Sequence, residues 1–220
     1  LTTRNTEIRS GMAMKDPPFD QRIAAVLVRP LVRTPITPNH ISMLTLFMAL
    51  AGALMLATGD ASQATWGAGL FALARFLDHF DGELARQSGK TSKLGYYLDY
   101  LVGAISYAAL FFCMGWGFRD SELGMWAVAL GAGGAGAALI SLFTNLGIDR
   151  ETGGDETGDS VGYPGFAGFE LEDGIYLIWP VAWLGYLYPF FIAAGIGATI
   201  YCLWTCVTLV RMRRQRGAPS

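Results

Sequence analysis

Three aspartates near the middle of the chain are close enough in sequence to bind one divalent metal ion together. Asp78 and Asp81 lie on one predicted helix, and Asp99 lies near the start of the next. Clustered carboxylates repel one another unless a cation or a proton separates them. Oxygen ligands favour hard ions such as Mg²⁺, Mn²⁺ or Ca²⁺, and a metal shared with phosphates is a usual arrangement for phosphoryl transfer. The pattern therefore indicates a metal site suited to phosphate chemistry.

Small residues accompany the carboxylates on both predicted helices. Glycine and alanine allow a bulky ligand or a facing backbone to approach closely. The connection over residues 87–93 is short, so we expect the two helices to be antiparallel neighbours whose carboxylates converge. The small residues that share a face with an aspartate, at about 100° per residue, are Gly82 and Ala85 on the first helix and Gly95 and Gly103 on the second.

A structural network of ion pairs is the alternative explanation of the same residues. Asp78 or Asp81 could pair with Arg75 or Arg86 on the same helix. Structural ion-pair networks shift the pKa values of carboxylates, as functional sites do. The spacing by itself leaves the metal site and the ion-pair network equally open.

The composition is typical of a membrane protein. Hydrophobic residues make up 52% of the chain and charged residues only 15%, where soluble domains have about 25%. A spanning helix needs about 20 mostly apolar residues, and no segment alternates with the period of a strand. We therefore predict an all-α, polytopic protein with six transmembrane helices. They are roughly Ile41–Thr58, Gln63–Phe80, Leu94–Phe118, Gly124–Ile148, Gly174–Pro189 and Phe190–Met212.

The distribution of Lys and Arg predicts the orientation. Six of these residues precede the first predicted span, three lie between the second and third spans, and four lie at or beyond the end of the sixth, at positions 211–216. The loops on the opposite side contain only Arg119. Because positively charged loops stay in the cytoplasm, we expect both ends of the chain and the carboxylates on the cytoplasmic side.

The chain divides into an N-terminal segment, residues 1–35, and a membrane domain, residues 36–216. Within the first, Phe19–Arg33 mixes apolar residues at helical spacing with three arginines. This pattern predicts an amphipathic helix lying in the membrane interface.

The aspartates also belong to a longer motif that identifies a family. The stretch from Asp78 onward resembles the signature D-x-x-D-G-x-x-A-R-x8-G-x3-D-x3-D of the CDP-alcohol phosphotransferases. The six-helix layout and residues 37–42, Thr-Pro-Asn-His-Ile-Ser, are also similar to that family. The positions that match in residue and spacing are Asp78, Asp81, Gly82, Ala85, Arg86, Gly95 and Asp99.

The resemblance implies a reaction and a set of roles. A hydroxyl of an acceptor alcohol attacks the phosphorus that bears the donor alcohol of a CDP-alcohol, such as CDP-diacylglycerol, and CMP leaves. Mg²⁺ or Mn²⁺ is the implied cofactor, with Ca²⁺ as a substitute. Membrane lipids are further partners, nucleic acid is not expected, and a homodimer is left open. The implied roles are metal binding for Asp78, Asp81 and Asp99, catalysis for Asp99, Asp78 and Arg86, and nucleotide binding for Gly82, Ala85, Asp81 and Gly95.

One position departs from the signature. Its fourth aspartate, a metal ligand and the presumed base in the family, falls on Gly103. We expect this change to weaken catalysis more than binding, unless Glu170 or Glu172 replaces the missing carboxylate. Those acids and Asp173 could instead cap the helix that follows them. A non-catalytic relative that binds CDP-lipid is therefore the second interpretation, and a small cation-coupled transporter is a third.

Basic residues on the cytoplasmic side could capture a phosphorylated or anionic partner. Lys90, Lys93 and the arginines of 211–216 are the candidates. A polybasic flank also favours anionic lipid headgroups, and the same charges serve as topology signals. The sequence leaves these explanations open.

Overall fold

The structure, a computed structural model, describes residues 19–152, 165–166 and 169–216. For residues 19–20, 152, 165–166 and 169–173 it describes the backbone alone. This part of the chain is helical apart from one antiparallel pair of two-residue strands, β1 (Gly165–Phe166) and β2 (Phe169–Glu170). Two 3₁₀ helices cover Arg29–Arg33 and Leu171–Leu177. The α-helices are α1 (Phe19–Leu27), α2 (Pro38–Leu56), α3 (Ala61–Ser88), α4 (Lys93–Gly117), α5 (Met125–Thr152), α6 (Ile178–Trp183) and α7 (Leu187–Arg216).

Four of these helices, α2, α4, α5 and α7, are long and apolar enough to cross a membrane. The second predicted span falls on α3, which has 28 residues but carries the charged cluster in its second half. The fifth falls on Leu171–Leu177 and the short α6. The prediction of a polytopic membrane protein thus holds for four helices, and the crossings by α3 and by the α6 segment stay predictions.

The boundary between the fifth and sixth predicted spans lies elsewhere than expected. The chain turns at Gly185, whose φ of +82° favours glycine, and α7 begins at Leu187. Pro189 therefore lies in the first turn of α7, where its missing N–H costs no helical hydrogen bond.

The N-terminal helix packs on the bundle through one side only. Ala24 and Val28 are fully buried against Phe80 and Leu84 of α3 and Ile41 of α2. Two apolar residues of the same helical region, Val26 and Leu27, are more than half exposed. An amphipathic helix is therefore present, and its place in the membrane interface stays a prediction.

Local sequence determines the ends of the two helices that carry the aspartates. Asp60 caps α3 by accepting a hydrogen bond from the Gln63 N–H (2.8 Å). Gly89, at φ +68°, ends that helix, and Ser92 caps α4 by accepting from the Gly95 N–H (3.0 Å). The connection between the helices is as short as the sequence suggested.

The packing of these two helices differs from the expectation. We predicted that α3 and α4 would pack directly on each other, but α2 packs closely on both of them and they do not pack closely together. Glycine allows α2 to approach α3 closely, whereas α3 and α4 meet through large side chains such as Phe71 and Tyr107, whose ring centres lie 6.0 Å apart.

Two glycines allow the contact between α2 and α3. A Cβ at Gly52 would lie 2.6 Å from the Gly67 carbonyl oxygen, and a Cβ at Gly67 would lie 2.6 Å from the Gly52 carbonyl oxygen. The fully buried Phe71 fills the core one turn further along α3. The distance between the helix axes at this point therefore depends on the absence of side chains.

We predict that Gly67→Ala destabilises the protein by about 1–3 kcal/mol, the usual effect of overpacking. Gly133→Ala is the matched control, because it adds the same methyl group to a helix where nothing lies within 4 Å. Thermal unfolding of the detergent-solubilised variants measures the difference in their melting temperatures. Each kcal/mol of destabilisation should lower the melting temperature by about 2–4 °C. Equal melting temperatures for the two variants would contradict the prediction.

Candidate metal centre

The structure brings the three aspartates together. Asp78, Asp81 and Asp99 each offer an oxygen that lies within 4.8 Å of the other two. Asp78 and Asp81 are buried, at 7% and 5% exposed, whereas Asp99 is exposed. A set of three carboxylate oxygens at this separation fits a hard divalent ion such as Mg²⁺, Mn²⁺ or Ca²⁺. The convergence that the spacing predicted is therefore present, although the two helices reach it without packing directly.

Two hydroxyls of α2 hold the buried carboxylates. Ser42 Oγ donates a hydrogen bond to Asp81 Oδ2, and Thr45 Oγ1 donates to Asp78 Oδ1 at 3.2 Å. Both residues are almost completely buried. Sequence reasoning missed this role, and a signal was available: two hydroxyls three residues apart share one face of an otherwise apolar helix. Buried polar groups of this kind need partners.

Arg75 supplies a positive charge beside the cluster. Its Nη1 donates to Asp78 Oδ2 at 2.8 Å, and both side chains are buried. Its guanidinium carbon also lies 5.1 Å from the centre of the Tyr107 ring. The ion-pair alternative is thus present in part, through Arg75 and Asp78. One pair leaves two further carboxylates in the cluster, so it does not replace a metal ion.

Arg86, the arginine of the signature, contacts a different acid. Its Nη2 and Nε lie 2.8 and 3.1 Å from Glu83 Oε2. Gln87 donates to the other oxygen of Glu83 at 2.8 Å. Glu83 lies beyond the second predicted span. Burial by itself would raise the pKa of the Glu83 carboxyl, but the hydrogen bonds from Gln87 and Arg86 outweigh burial and hold this pKa below its ordinary value. Of the ion pairs that the sequence left open, the one between Arg86 and an aspartate is therefore not seen among the described contacts.

The small residues of the signature differ in their surroundings. A Cβ at Gly95 would lie 3.1 Å from Ser92 Oγ and 3.4 Å from Asn39 Oδ1, so this glycine allows the first turn of α4 to approach α2. A Cβ at Gly82 would be in ordinary contact with Arg86 Nη1, at 3.5 Å. Ala85 is partly exposed. The close packing around Gly95 thus explains why a glycine stands at this position.

A buried acid on α5 fixes the start of α4. Asp149 is 1% exposed and accepts hydrogen bonds from the Tyr96 and Tyr100 hydroxyls, the second at 3.2 Å. Because the two tyrosines lie on either side of Asp99 in sequence, this contact holds the turn that carries the third carboxylate. The fourth predicted span ends at Ile148, directly before Asp149, and the sequence gave no sign of this contact.

Two further groups of residues complete the sequence-based candidates. His79, which follows Asp78 in sequence, has its Nε2 3.1 Å from the Tyr176 hydroxyl. The side chains of Glu170, Glu172 and Asp173, considered as a replacement base or as caps, lie outside the described residues.

Known proteins similar to this chain agree with the motif and the fold. The chain is 30% identical over 93 residues to the phosphatidylinositol phosphate synthase of Streptomyces avermitilis, a match covering 42% of this chain. The chain spans only about a third of the length of that relative, 37%.

Two crystal structures of the Mycobacterium tuberculosis phosphatidylinositol phosphate synthase share the fold. The structure with CDP-DAG bound has a TM-score of 0.55 at 24% identity, and the match covers 86% of this chain and 94% of that one. The structure in complex with manganese and citrate has a TM-score of 0.52 at 23% identity, with 87% of each chain covered. At these identities the likeness shows the fold alone.

The family is shown by a match to a whole domain. Residues 35–162 match the family model for CDP-alcohol phosphatidyltransferase, and this range is more than half of the chain. It includes all three aspartates, the hydroxyls of α2 that hold two of them, and Arg75. The chain therefore belongs to the CDP-alcohol phosphatidyltransferase family, which is a family of transferases.

Proposed function

We propose that this protein transfers the phosphatidyl group of CDP-diacylglycerol to an acceptor alcohol and releases CMP. The observation that carries the proposal is the cluster of three carboxylates, within 4.8 Å of one another, at the signature positions of this family. CDP-diacylglycerol is the donor to test first, because a relative of the same fold has been crystallised with CDP-DAG bound.

Asp78, Asp81 and Asp99 would hold the Mg²⁺ or Mn²⁺ ion. When bound, the ion neutralises negative charge on the phosphoryl oxygens and on the departing nucleotide. The relative crystallised with manganese supports a divalent ion of this kind. The hydroxyls of Ser42 and Thr45 would keep the two buried carboxylates in a fixed orientation for the ion, as outer hydrogen-bond partners do in other metal sites.

The chemical step breaks one bond to phosphorus and forms another. The acceptor's hydroxyl oxygen attacks the phosphorus that bears diacylglycerol, the bond from this phosphorus to the CMP oxygen breaks, and the electron pair leaves with CMP. The hydroxyl proton must pass to a base. Asp99 is the exposed member of the cluster, so an acceptor can reach it. Among the residues whose side chains are described, position 103 is a glycine and offers no carboxylate to take this proton. Glu170 or Glu172 would be the alternative proton acceptor, and base assistance of this kind is usually worth about 10²–10⁴-fold in rate.

The remaining signature residues suit the nucleotide. Gly82 and Ala85 leave room beside the carboxylates, and Arg86 lies at this face with 45% of its side chain exposed. An exposed ion pair such as the one with Glu83 contributes little to stability, so Arg86 can exchange this partner for a phosphate, which it binds through two parallel hydrogen bonds.

The acceptor is the least defined part of the reaction. The names of two relatives contain phosphatidylinositol phosphate, so inositol phosphate is the first acceptor to test. Cations on the cytoplasmic side, Lys90, Lys93 and the arginines of 211–216, would bind a phosphorylated acceptor. Two of them, Arg213 and Arg216, contact Glu151, the second at 3.0 Å, and would exchange this partner for a phosphate.

The membrane arrangement is part of the proposal. We infer six crossings, including α3 and the α6 segment, with the carboxylates on the cytoplasmic side and α1 in the interface. The support is the excess of Lys and Arg on one side and the exposed apolar residues of α1.

The first test is CMP release from CDP-diacylglycerol by the purified protein, with inositol phosphate, inositol, glycerol phosphate and serine as acceptors. We expect release that needs Mg²⁺ or Mn²⁺, stops with EDTA and depends on one acceptor. Tight binding of CDP-diacylglycerol with no release for any acceptor would favour the second interpretation, a non-catalytic CDP-lipid-binding protein. Metal-dependent cation flux in vesicles without CDP-lipid binding would favour the transporter.

We predict that Asp99→Asn lowers the affinity for Mn²⁺, because it removes a direct ligand. Loss of a residue that only hydrogen-bonds to a ligand lowers metal affinity by roughly 10–100-fold, and we expect a decrease of at least this size. CDP-diacylglycerol affinity in the presence of Mn²⁺ should fall with it. Isothermal titration of the purified variant measures both. Asp120→Asn is the control, since this carboxylate is 84% exposed at the other end of α4. Unchanged Mn²⁺ and CDP-lipid affinity in Asp99→Asn would remove Asp99 from the site.

We predict that Thr91→Cys and Ser220→Cys react from the cytoplasmic side and Asp120→Cys from the opposite side. Each is made in a background without Cys113, Cys202 and Cys206. Labelling of intact cells and of inverted vesicles with a membrane-impermeant maleimide distinguishes the two sides. Thr91→Cys and Ser220→Cys on opposite sides would disprove the six-span topology.

A further inference from the structure

Arg75 lies where the signature's fourth carboxylate would extend. A Cβ placed at Gly103 would lie 4.0 Å from Arg75 Nη1. The same nitrogen lies 2.8 Å from Asp78 Oδ2, so it stands between the cluster and position 103. A longer side chain at position 103 would enter the space that the guanidinium occupies.

The surroundings of Arg75 keep the guanidinium in place. The side chain is 10% exposed, and its guanidinium carbon lies 5.1 Å from the centre of the Tyr107 ring. Tyr107 is on α4, one turn beyond Gly103. Arg75 therefore crosses from α3 to α4 and contacts both helices that carry the carboxylates. A guanidinium cannot lose its proton in a protein, so this positive charge is permanent.

The charges of the centre are balanced by a single metal ion. The three aspartates carry three negative charges, Arg75 carries one positive charge, and a divalent ion carries two, so the sum is zero. In the signature, a fourth aspartate stands at position 103, and the resemblance implies that it holds a second divalent ion. Four carboxylates and two such ions also sum to zero. With glycine at position 103, Arg75 supplies the one positive charge that three carboxylates and one divalent ion leave unbalanced.

We propose that the Arg75 guanidinium takes the place of the second metal ion, so that this centre binds one divalent ion beside a fixed organic cation. The proposal rests on the metal site of the proposed function. A second divalent ion would lie next to the guanidinium, be repelled by it, and find no carboxylate at position 103. Arg75 is a positioning residue in this arrangement, because it acts through Asp78.

The number of bound ions tests the proposal directly. Purified, full-length protein in detergent is titrated with Mn²⁺, and equilibrium dialysis with electron paramagnetic resonance counts the bound ions. We expect one Mn²⁺ per chain and the spectrum of an isolated ion. Two Mn²⁺ per chain with a coupled spectrum, as ions about 3.5–4 Å apart give, would overturn the proposal.

Substitutions at both positions test the compensation. In Arg75→Leu/Gly103→Asp the cation is removed and the carboxylate restored, so we expect two coupled Mn²⁺ per chain. Gly103→Asp alone should still bind one, because the new carboxylate pairs with Arg75. Arg75→Lys/Gly103→Asp should also bind one, since lysine keeps the charge. Arg75→Leu/Gly103→Asn, the neutral control, should not bind a second ion.

The outcomes separate this inference from the proposed function. A double variant Arg75→Leu/Gly103→Asp that elutes and melts like the native protein but binds one ion would disprove the inference. Two ions in Gly103→Asp alone would also disprove it, because Arg75 would then be no obstacle. One Mn²⁺ in the native protein without CMP release for any acceptor would contradict the proposed reaction and leave the inference standing. No bound Mn²⁺ in the native protein would contradict both.

Discussion

Three carboxylates that lie within 4.8 Å of one another repel, and the structure around them holds them together against this repulsion. Two are buried, where a charge is costly unless it is paired or hydrogen-bonded. Ser42 and Thr45 supply the hydrogen bonds from α2, and Arg75 supplies an ion pair from α3 itself. The exposed carboxylate, Asp99, keeps access to ligands. The centre is thus assembled from three helices, although only two carry its acids.

The helix α2 sets the separation of the two helices that carry the acids. It packs closely on both α3 and α4, which do not pack closely on each other. At one end, Gly52 and Gly67 bring α2 and α3 into backbone contact. At the other end, Gly95 lets α4 approach Asn39 at the start of α2. Glycines in a motif of this kind are therefore needed for the geometry of the acids as well as for room beside them.

The sequence predicts what depends on local spacing and misses what depends on tertiary contact. Helical periodicity and a short connection were enough to predict that Asp78, Asp81 and Asp99 converge. The length of the apolar segments was enough to identify α2, α4, α5 and α7 as candidate membrane spans. Spacing within one helix could not show that Ser42 and Thr45 of α2 would face the acids, since that depends on how three helices pack. Arg86 pairs with Glu83, three residues before it on the same helix, whereas Asp81 and Asp78 lie five and eight residues before it and are not its neighbours on the helix surface.

A permanent cation changes how such a centre behaves without its metal. A site of four carboxylates that depends on two ions has four negative charges to accommodate when the ions are absent. On the one-ion proposal, only two positive charges leave with the metal here, and the charge of Arg75 stays because the residue belongs to the chain. The guanidinium contributes less to catalysis than a divalent ion, because it cannot bind a water or hydroxyl oxygen directly and lower its pKa. If Arg75 takes the place of a second ion, as proposed, the centre would favour a stable empty site over rapid activation of an acceptor. Such a balance would agree with glycine at position 103, where the family signature has the carboxylate that the resemblance implies as base.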